Sequence, residues 1–508
     1  MSSRWVIVSS KKLEHPYKIK LKMLWQRSKN FGRLFIRSRK GVAGVLILAF
    51  YIAIAILAPY LTPYDPVYSK YVAGPRAKPI WFRYLPGHQH LSYNIEPIDD
   101  PGFFKGIPNK LHFEVIPNNA PIRISYSNEY GYPKGSGPGC LRISFEKGSY
   151  NYKEIKVRVY VKFHYPYNGP PARFSSGIAI LYNGSLRTPV RVKIFLIDSN
   201  SKEYDLSSFV LLKGKWRTPK PPIDSYQASL RIRLFYSVLK DPARIIFHNK
   251  GEYIYGAEFT FRGEEGTLNI YVDDFYLRLY GTSFGLLGTD AYGRDLFTQF
   301  VYGARISLVV GLLSAIFSVA IGIVVGLLSG YLGGVVDELL MRFTDMLLVL
   351  PTLPLLLVLT AVLGASIWNL VLLIGFLGWM GFARVIRSQV LSLKERAFVE
   401  AARAIGASTT MIIVKHILPN VASLAYVALA LSVPSAIVSE AALSWLGLYD
   451  PNVMSWGRML HDVQYYGAIT DWWWVIPPGL SIALLSMSFI FIGYAIDELL
   501  NPRLRARR

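Results

Sequence analysis

Few residues in this 508-residue chain have the type and spacing to do chemistry. The eight His are scattered, and Cys140 is the single cysteine, which excludes an intramolecular disulfide and a Cys-rich metal site. There is no GxxxxGK[ST] phosphate loop, so ATP is not held by that route. With no nucleophile–base pair or paired acids in view, the expectation is a protein that is not an enzyme and takes no cofactor and no metal. Three patterns remain. The stretch EAARAIGASTTMIIVKHILPN, Glu400 to Asn420, sets a charged start beside an apolar ridge of Met411, Ile412, Ile413 and Val414. Glu440 ends an uncharged run; an acid at membrane depth is a functional hypothesis by default, with an interfacial cap on EAALSWLGL as the alternative. Asp273 and Asp274 lie among strands rich in Tyr, where turn or edge roles compete with ligand binding.

The elements that position these residues are long and apolar. Gly41 to Tyr64, Ile306 to Val336, Met346 to Ala383 and Trp472 to Ile496 contain no Asp, Glu, Lys or Arg. A run of about 18 or more such residues marks a helix that crosses roughly 30 Å of hydrocarbon while satisfying its own backbone. The first span is placed at 41–64, followed by spans at about 306–332, 346–363, 366–383, 420–440 and 475–496, with Pro351 and Pro354 loosening the third. Trp445, Trp456 and Trp472 to Trp474 fall where an interfacial aromatic belt is expected. Residues 65–282 have no spanning run and instead alternate apolar with polar, as in KVRVYVKFHY, RVKIFLIDS and LNIYVDDFYLRLY, between Gly, Pro and Asn clusters. The fold class expected is therefore an α-helical integral membrane protein of six transmembrane helices with an inserted mainly-β domain, a sandwich or jelly roll. The insert holds most of the 33 Tyr, and Asn183-Gly184-Ser185 reads as a glycosylation acceptor on an outward loop.

The net charge of +23 raises nucleic-acid binding, but its placement argues for topology instead. Twelve Lys and Arg against one acid occupy residues 1–40, and four Arg close the chain from Arg503 to Arg508. Basic flanks hold loops on the cytoplasmic side next to anionic lipid. Six spans then put both termini in the cytoplasm, residues 65–282 outside and the loop 393–419 inside, in a multi-pass plasma-membrane protein without a nucleic-acid partner.

On that inner loop, Leu393 to Ala404 reads as a helix with Gly406 at a left-handed cap. A second short helix is expected from Ser408 to His416, ending before Pro419. From physics alone, a helix lying on the membrane surface and a docking elbow are equally open. The segment resembles the EAA loop of ABC importer permeases, in the form found in the dipeptide/oligopeptide (Opp/Dpp) permease family. Glu400, Ala401, Ala402, Gly406, Ile417, Leu418 and Pro419 take the motif positions, although His416 stands where the general importer motif has Ile. LGTDAYGRDLFTQFVYGARISLVVGL, GYLGGVVDELLMRFTD, SEAALSWLGLYDPNVMSWGRML and DELLNPRLR are similar to further segments of that family. The resemblance implies a permease subunit that translocates a di- or oligopeptide. Its partners would be two ABC ATPase subunits, a second homologous permease, an extracellular solute-binding protein and membrane lipid. Glu400 would meet a basic residue of the ATPase, and Gly406 would allow the bend. Glu440, Trp445 and Trp456 are assigned to the pathway or the outer loop. Oligosaccharide or nickel as cargo stays open, as does a membrane-anchored external glycan-binding or sensor protein.

Overall fold

The computed structural model describes Gly32 and residues 35–135, 137–146, 152–263 and 266–500. The basic arm before residue 35, Gly32 apart, and Arg503 to Arg508 lie outside the described residues. Two compact units emerge, one of residues 1–63 and 298–508 and the other of 64–297.

The helical unit starts with α1 (Arg39–Leu61), capped by Ser38, whose hydroxyl accepts from Gly41 N–H at 3.3 Å. It continues with α4 (Leu296–Leu332), α5 (Gly334–Val349), α6 (Thr352–Leu363), α7 (Ile367–Phe376) and α8 (Met380–Lys394). The remainder is α9 (Ala397–Ala404), α10 (Thr409–Ile412), a π turn (Ile413–Ile417), α11 (Leu418–Trp445), α12 (Trp456–Tyr465) and α13 (Trp472–Leu500). Four helical stretches are long and apolar enough to cross a membrane, or six if each of two bent pairs is one span. The expected span 346–363 is not one straight helix. The α5–α6 pair bends by 90° at Leu350, which lies extended (ψ 132) before Pro351. Proline's ring disfavours the α conformation at the residue before it, and the 12 residues of α6 reach only about 18 Å. Span 366–383 is likewise a pair, α7 and α8, bent by 41°.

Close backbone packing, rather than hydrophobicity, must hold apolar helices together in lipid. Gly322, Gly326 and Gly330 form a stripe on α4. A methyl added there would come within 3.1 Å of Trp379 O, 2.7 Å of Ala383 O and 2.9 Å of Arg387 O. Thus α4 seats directly on the α8 backbone. Midway along α8 the Arg387 guanidinium grips Asp337 of α5 with two bonds of 2.6 Å, and Arg384 pairs with Asp345.

The β unit is two five-stranded antiparallel sheets, ordered β1-β4-β9-β6-β7 and β2-β3-β10-β5-β8. The strands are β1 (Leu111–Ile116), β2 (Ile122–Ser127), β3 (Cys140–Glu146), β4 (Tyr152–Tyr165), β5 (Arg173–Gly184), β6 (Arg191–Ile197), β7 (Glu203–Val210), β8 (Ile223–Asp224), β9 (Gly251–Gly263) and β10 (Thr267–Tyr280), and two short helices, α2 (Ala228–Phe235) and α3 (Pro242–Ile246), precede β9. Strict alternation points Val157, Val159, Val161, Phe259 and Phe261 of one sheet toward Ile143, Phe145, Ile270 and Val272 of the other. Phe145 and Phe261 meet edge to face across the gap, and Tyr255 stacks on Phe275. The boundary falls at residue 297, not 282. Residues 283–297 return to the strand-poor start of the unit through Tyr71 N–H to Tyr292 O, Val72 N–H to Gly293 O and Thr289 N–H to Ala77 O. Asn183 is on β5 (Arg173–Gly184), paired with Asn269 in the ladder, and not on a loop.

Candidate functional site

The segment that follows α8 is an elbow with two different faces. Helix α8 stops at Lys394 and α9 starts at Ala397, so the expected single helix over 393–404 is broken at Glu395–Arg396. Helix α9 ends as its sequence demands. Ala407 N–H reaches Ala402 O at 3.0 Å and Gly406 N–H reaches Arg403 O at 3.0 Å, with Gly406 at φ +84. This closing motif needs a left-handed residue just past the helix, which glycine adopts without strain. Ser408 then caps α10 by accepting from Met411 N–H at 3.3 Å. The second helix does not stop before Pro419. It passes through the π turn Ile413–Ile417 into α11, where Pro419 sits in the first turn and its missing N–H costs nothing.

The inner face of the elbow is pinned. Val399, Ala402, Ile412 and Ile417 are buried in one apolar cluster with Leu327 and Tyr331 of α4, Ile386 and Val390 of α8, and Val421 of α11. The outer face carries exposed Glu400, Ala401, Phe398, Ile405, Met411 and Val414, with Ile405 at 85% exposure. Four large exposed apolar side chains beside a carboxylate that makes no ion pair among the described residues are the composition of a contact surface. Of the residues read from sequence, Glu400, Ala401 and Pro419 are exposed, Leu418 is half-buried, and Ala402 and Ile417 brace from inside. The bracing residue Val399 and the Asp337–Arg387 clamp were missed, and the ridge read from sequence splits, with Ile412 buried, Ile413 half-buried, and Met411 and Val414 exposed. The pairs Val399–Ala402 and Ile412–Ile417 carry a legible signal only once α9 and α10 are phased separately.

Glu440, Trp445 and Trp456 gather elsewhere, at the joint of α11 and α12. Glu440 is 2% exposed, and its Oε1 accepts from Ser444 Oγ and Ser455 Oγ, both at 2.7 Å. Trp456 is fully buried, stacked on Phe300, edge-on to Tyr51, and donating its indole N–H to Phe300 O at 2.9 Å. Trp473 and Trp474 are also buried, so these three rings pack the bundle, whereas Trp445 and Trp472 are exposed.

In the β unit Asp273 is fully buried beneath a bulge at which Asp274 takes φ +46. Desolvation pushes the Asp273 carboxyl up to about 6 despite N–H bonds of 2.7 Å from Tyr132 and Asp274. Burial also lifts the Cys140 thiol to about 11, and its Sγ donates to Ser127 O at 3.4 Å. No group of three or more His, Cys, Asp or Glu with metal-holding geometry occurs among the described residues.

A bundle with several membrane-crossing helices and a braced, exposed elbow defines a multi-pass membrane protein. Two family models match it. Residues 322–506 match the binding-protein-dependent transport system inner membrane component, and residues 25–79 match the N-terminal TM domain of oligopeptide transport permease C. The chain is 40% identical over 217 residues to the oligopeptide transport system permease protein OppC of Haemophilus influenzae, covering 42% of this chain and 70% of that one. It is 38% identical over 219 residues to the dipeptide transport system permease protein DppC of Bacillus subtilis, covering 43% and 68%. It therefore belongs to the family of binding-protein-dependent inner-membrane transport components, among the dipeptide and oligopeptide ABC permeases. Likeness to solved structures is remote. A MetNI methionine ABC transporter chain has 19% identity, covers 42% of this chain and 98% of its own, and gives a TM-score of 0.33. A carbohydrate-binding module with β-1,4-galactotriose has 13% identity, 36% and 97% coverage, and a TM-score of 0.23. Likeness at that level assigns neither fold nor ligand to this chain.

Proposed function

We propose that this chain is the permease half-channel of an ABC importer for di- or oligopeptides, delivered by an external binding protein and driven by two separate ATPase subunits. A second homologous permease completes the channel. Counting each bent pair as one span gives six crossings, with both termini and the elbow in the cytoplasm and the β unit outside. The names of the relatives support the cargo class. The observation that carries the mechanism is the two-faced elbow. Its inner face is locked to α4, α8 and α11, and its outer face offers Glu400 with Phe398, Ile405, Met411 and Val414. An ATPase that seats on the outer face and moves must drag three membrane helices with it. ATP binding elsewhere then biases a two-state bundle between inward-open and outward-open forms.

The test replaces Glu400 by Ala and Gly406 by Val. At φ +84 nothing lies within 4 Å of an added Cβ, so Gly406→Val leaves the packing intact and strains only the bend, by about 1–2 kcal/mol. Affinity purification from the native membrane in mild detergent, followed by mass spectrometry, is expected to recover two ATPase chains and a second permease with the wild type. ATPase recovery should fall about tenfold or more in the double variant, equivalent to roughly 1.4 kcal/mol of docking energy, at unchanged amounts of this chain. Equal recovery from both would refute the docking role of the elbow.

A further inference from the structure

Within the helical unit a cleft of about 350 Å³ opens between α4, α6, the α7–α8 bend and α11, reaching Ser439 beside the Glu440 joint. Its wall carries six hydroxyls, Ser314 and Ser318 of α4, Thr352 of α6, and Ser432, Ser435 and Ser439 of α11, and no ionisable side chain. The α11 residues recur at spacings of three and four, so they form one face of that helix. Ser314 donates to Val371 O at 3.2 Å. Ser432, Ser435 and Ser439 have no side-chain hydrogen bond among the described residues, and neither does Ser318, which is only 4% exposed and faces the cleft. A methyl on Gly378 would lie 2.8 Å from Ser318 Oγ, so the glycine at the α7–α8 bend keeps this hydroxyl uncovered. Hydroxyls at helix depth ordinarily bond to a carbonyl of their own or a neighbouring helix, because an unpaired polar group in a dry surrounding is costly. Of the unpaired serines, Ser318 is buried, Ser432 and Ser439 are half-buried and Ser435 is exposed, so the hydroxyls converge on an open cleft and are satisfied there by water or by a hydrogen-bonding occupant.

We propose that this cleft is the chain's wall of the translocation pathway and that its hydroxyls bind the amide groups of a peptide main chain during passage. This rests on the peptide-importer reading above. Main-chain amides are common to every peptide, and hydroxyls both donate and accept, so the wall follows the cargo without reading its side chains. The absence of a charged group in the wall makes passage indifferent to the charge of the cargo, and discrimination is left to other subunits.

The whole importer, with its ATPases, partner permease and binding protein, is reconstituted in proteoliposomes carrying Ser318→Cys, Ser435→Cys or Leu46→Cys in this chain. Cys140 is buried, so the wild type is the blank. Leu46 is 65% exposed on α1 and lies outside the cleft. A water-soluble methanethiosulfonate reagent is expected to modify both cleft cysteines, with the rate differing about fivefold between nucleotide-free and ATP-trapped states and falling when tri- to hexa-alanine is added, while Leu46→Cys responds to neither. In addition, Ser435→Asp should raise uptake of Ala-Lys-Ala over Ala-Glu-Ala by about fivefold relative to wild type, the effect of roughly 1 kcal/mol from one new charge. Cleft cysteines that are unmodified, or insensitive to both nucleotide and peptide, in an importer that takes up these peptides would overturn the pathway assignment. A wild-type importer that takes up none of them would instead overturn the peptide reading.

Discussion

The two units treat buried polarity in opposite ways. In the β unit interior charges meet partners. Arg173 holds Asp224 through bonds of 3.0 and 2.9 Å from Nε and lies 3.9 Å above the Tyr71 ring. Arg158 reaches Glu258 at 2.6 Å, and Arg294 reaches Asp290 at 2.5 Å with side chains 5% and 1% exposed. In the helical unit the described ion pairs join α5 to α8 or run along α5, while most hydroxyls along the cleft are left unpaired. Fully satisfied networks rigidify a structure, and partly satisfied ones leave it able to rearrange. The β unit is built to hold one shape and the helical unit to change.

The sharpest way to break this comparison is to remove one partner of a buried pair. Arg173→Ala leaves Asp224, 7% exposed, without its cation, and the β unit should lose about 3–5 kcal/mol. The midpoint of its thermal loss of protease resistance in the full chain would report this, and an unchanged midpoint would show that the network does not rigidify. Arg387→Ala sharpens the contrast. Its side chain is 35% exposed and that of Asp337 17%, so screening limits the stability cost to about 1 kcal/mol. Peptide uptake per assembled complex should nevertheless fall severalfold, because the clamp ties α5 to α8. Uptake that merely follows the stability loss would argue against a moving part. The smallest effect is titrational. With its pKa raised from 3.8 to about 6, Asp273 keeps its proton in the folded chain where the unfolded chain has lost it. Its stabilising contribution is thus complete below about pH 4 and lost as pH rises through 6. Melting of the β unit should weaken over that window in the wild type and less so in Asp273→Asn; parallel profiles would assign the pH dependence to another group.

Much of this was legible beforehand because short-range rules decide it. Gly406 marks a left-handed cap, Ser408 an N-cap, and the alternation in KVRVYVKFHY a strand with one buried face. The family segments located the elbow. Other features depended on context that periodicity does not carry. The break at Leu350 follows from Pro351, yet the apolar run continues through it, and an uncharged run says nothing about direction. The burial of Trp456 depends on Phe300 and Tyr51, far away in sequence. The hydroxyl face of α11 was visible as Ser432, Ser435 and Ser439, but three serines signify nothing until the facing helices supply Ser318 and Thr352.

Helix α11 runs unbroken for 28 residues, about 42 Å, from the π turn at the elbow to the Glu440 joint. Pro434, flanked by the cleft serines Ser432 and Ser435, lies inside it and lacks the N–H that would bond to Ala430 O. The helix is therefore softest at the height where it walls the cleft. A proline in the middle of such a rod makes it a hinge, so its two halves can lean separately while the elbow end and the Glu440 end keep their packing.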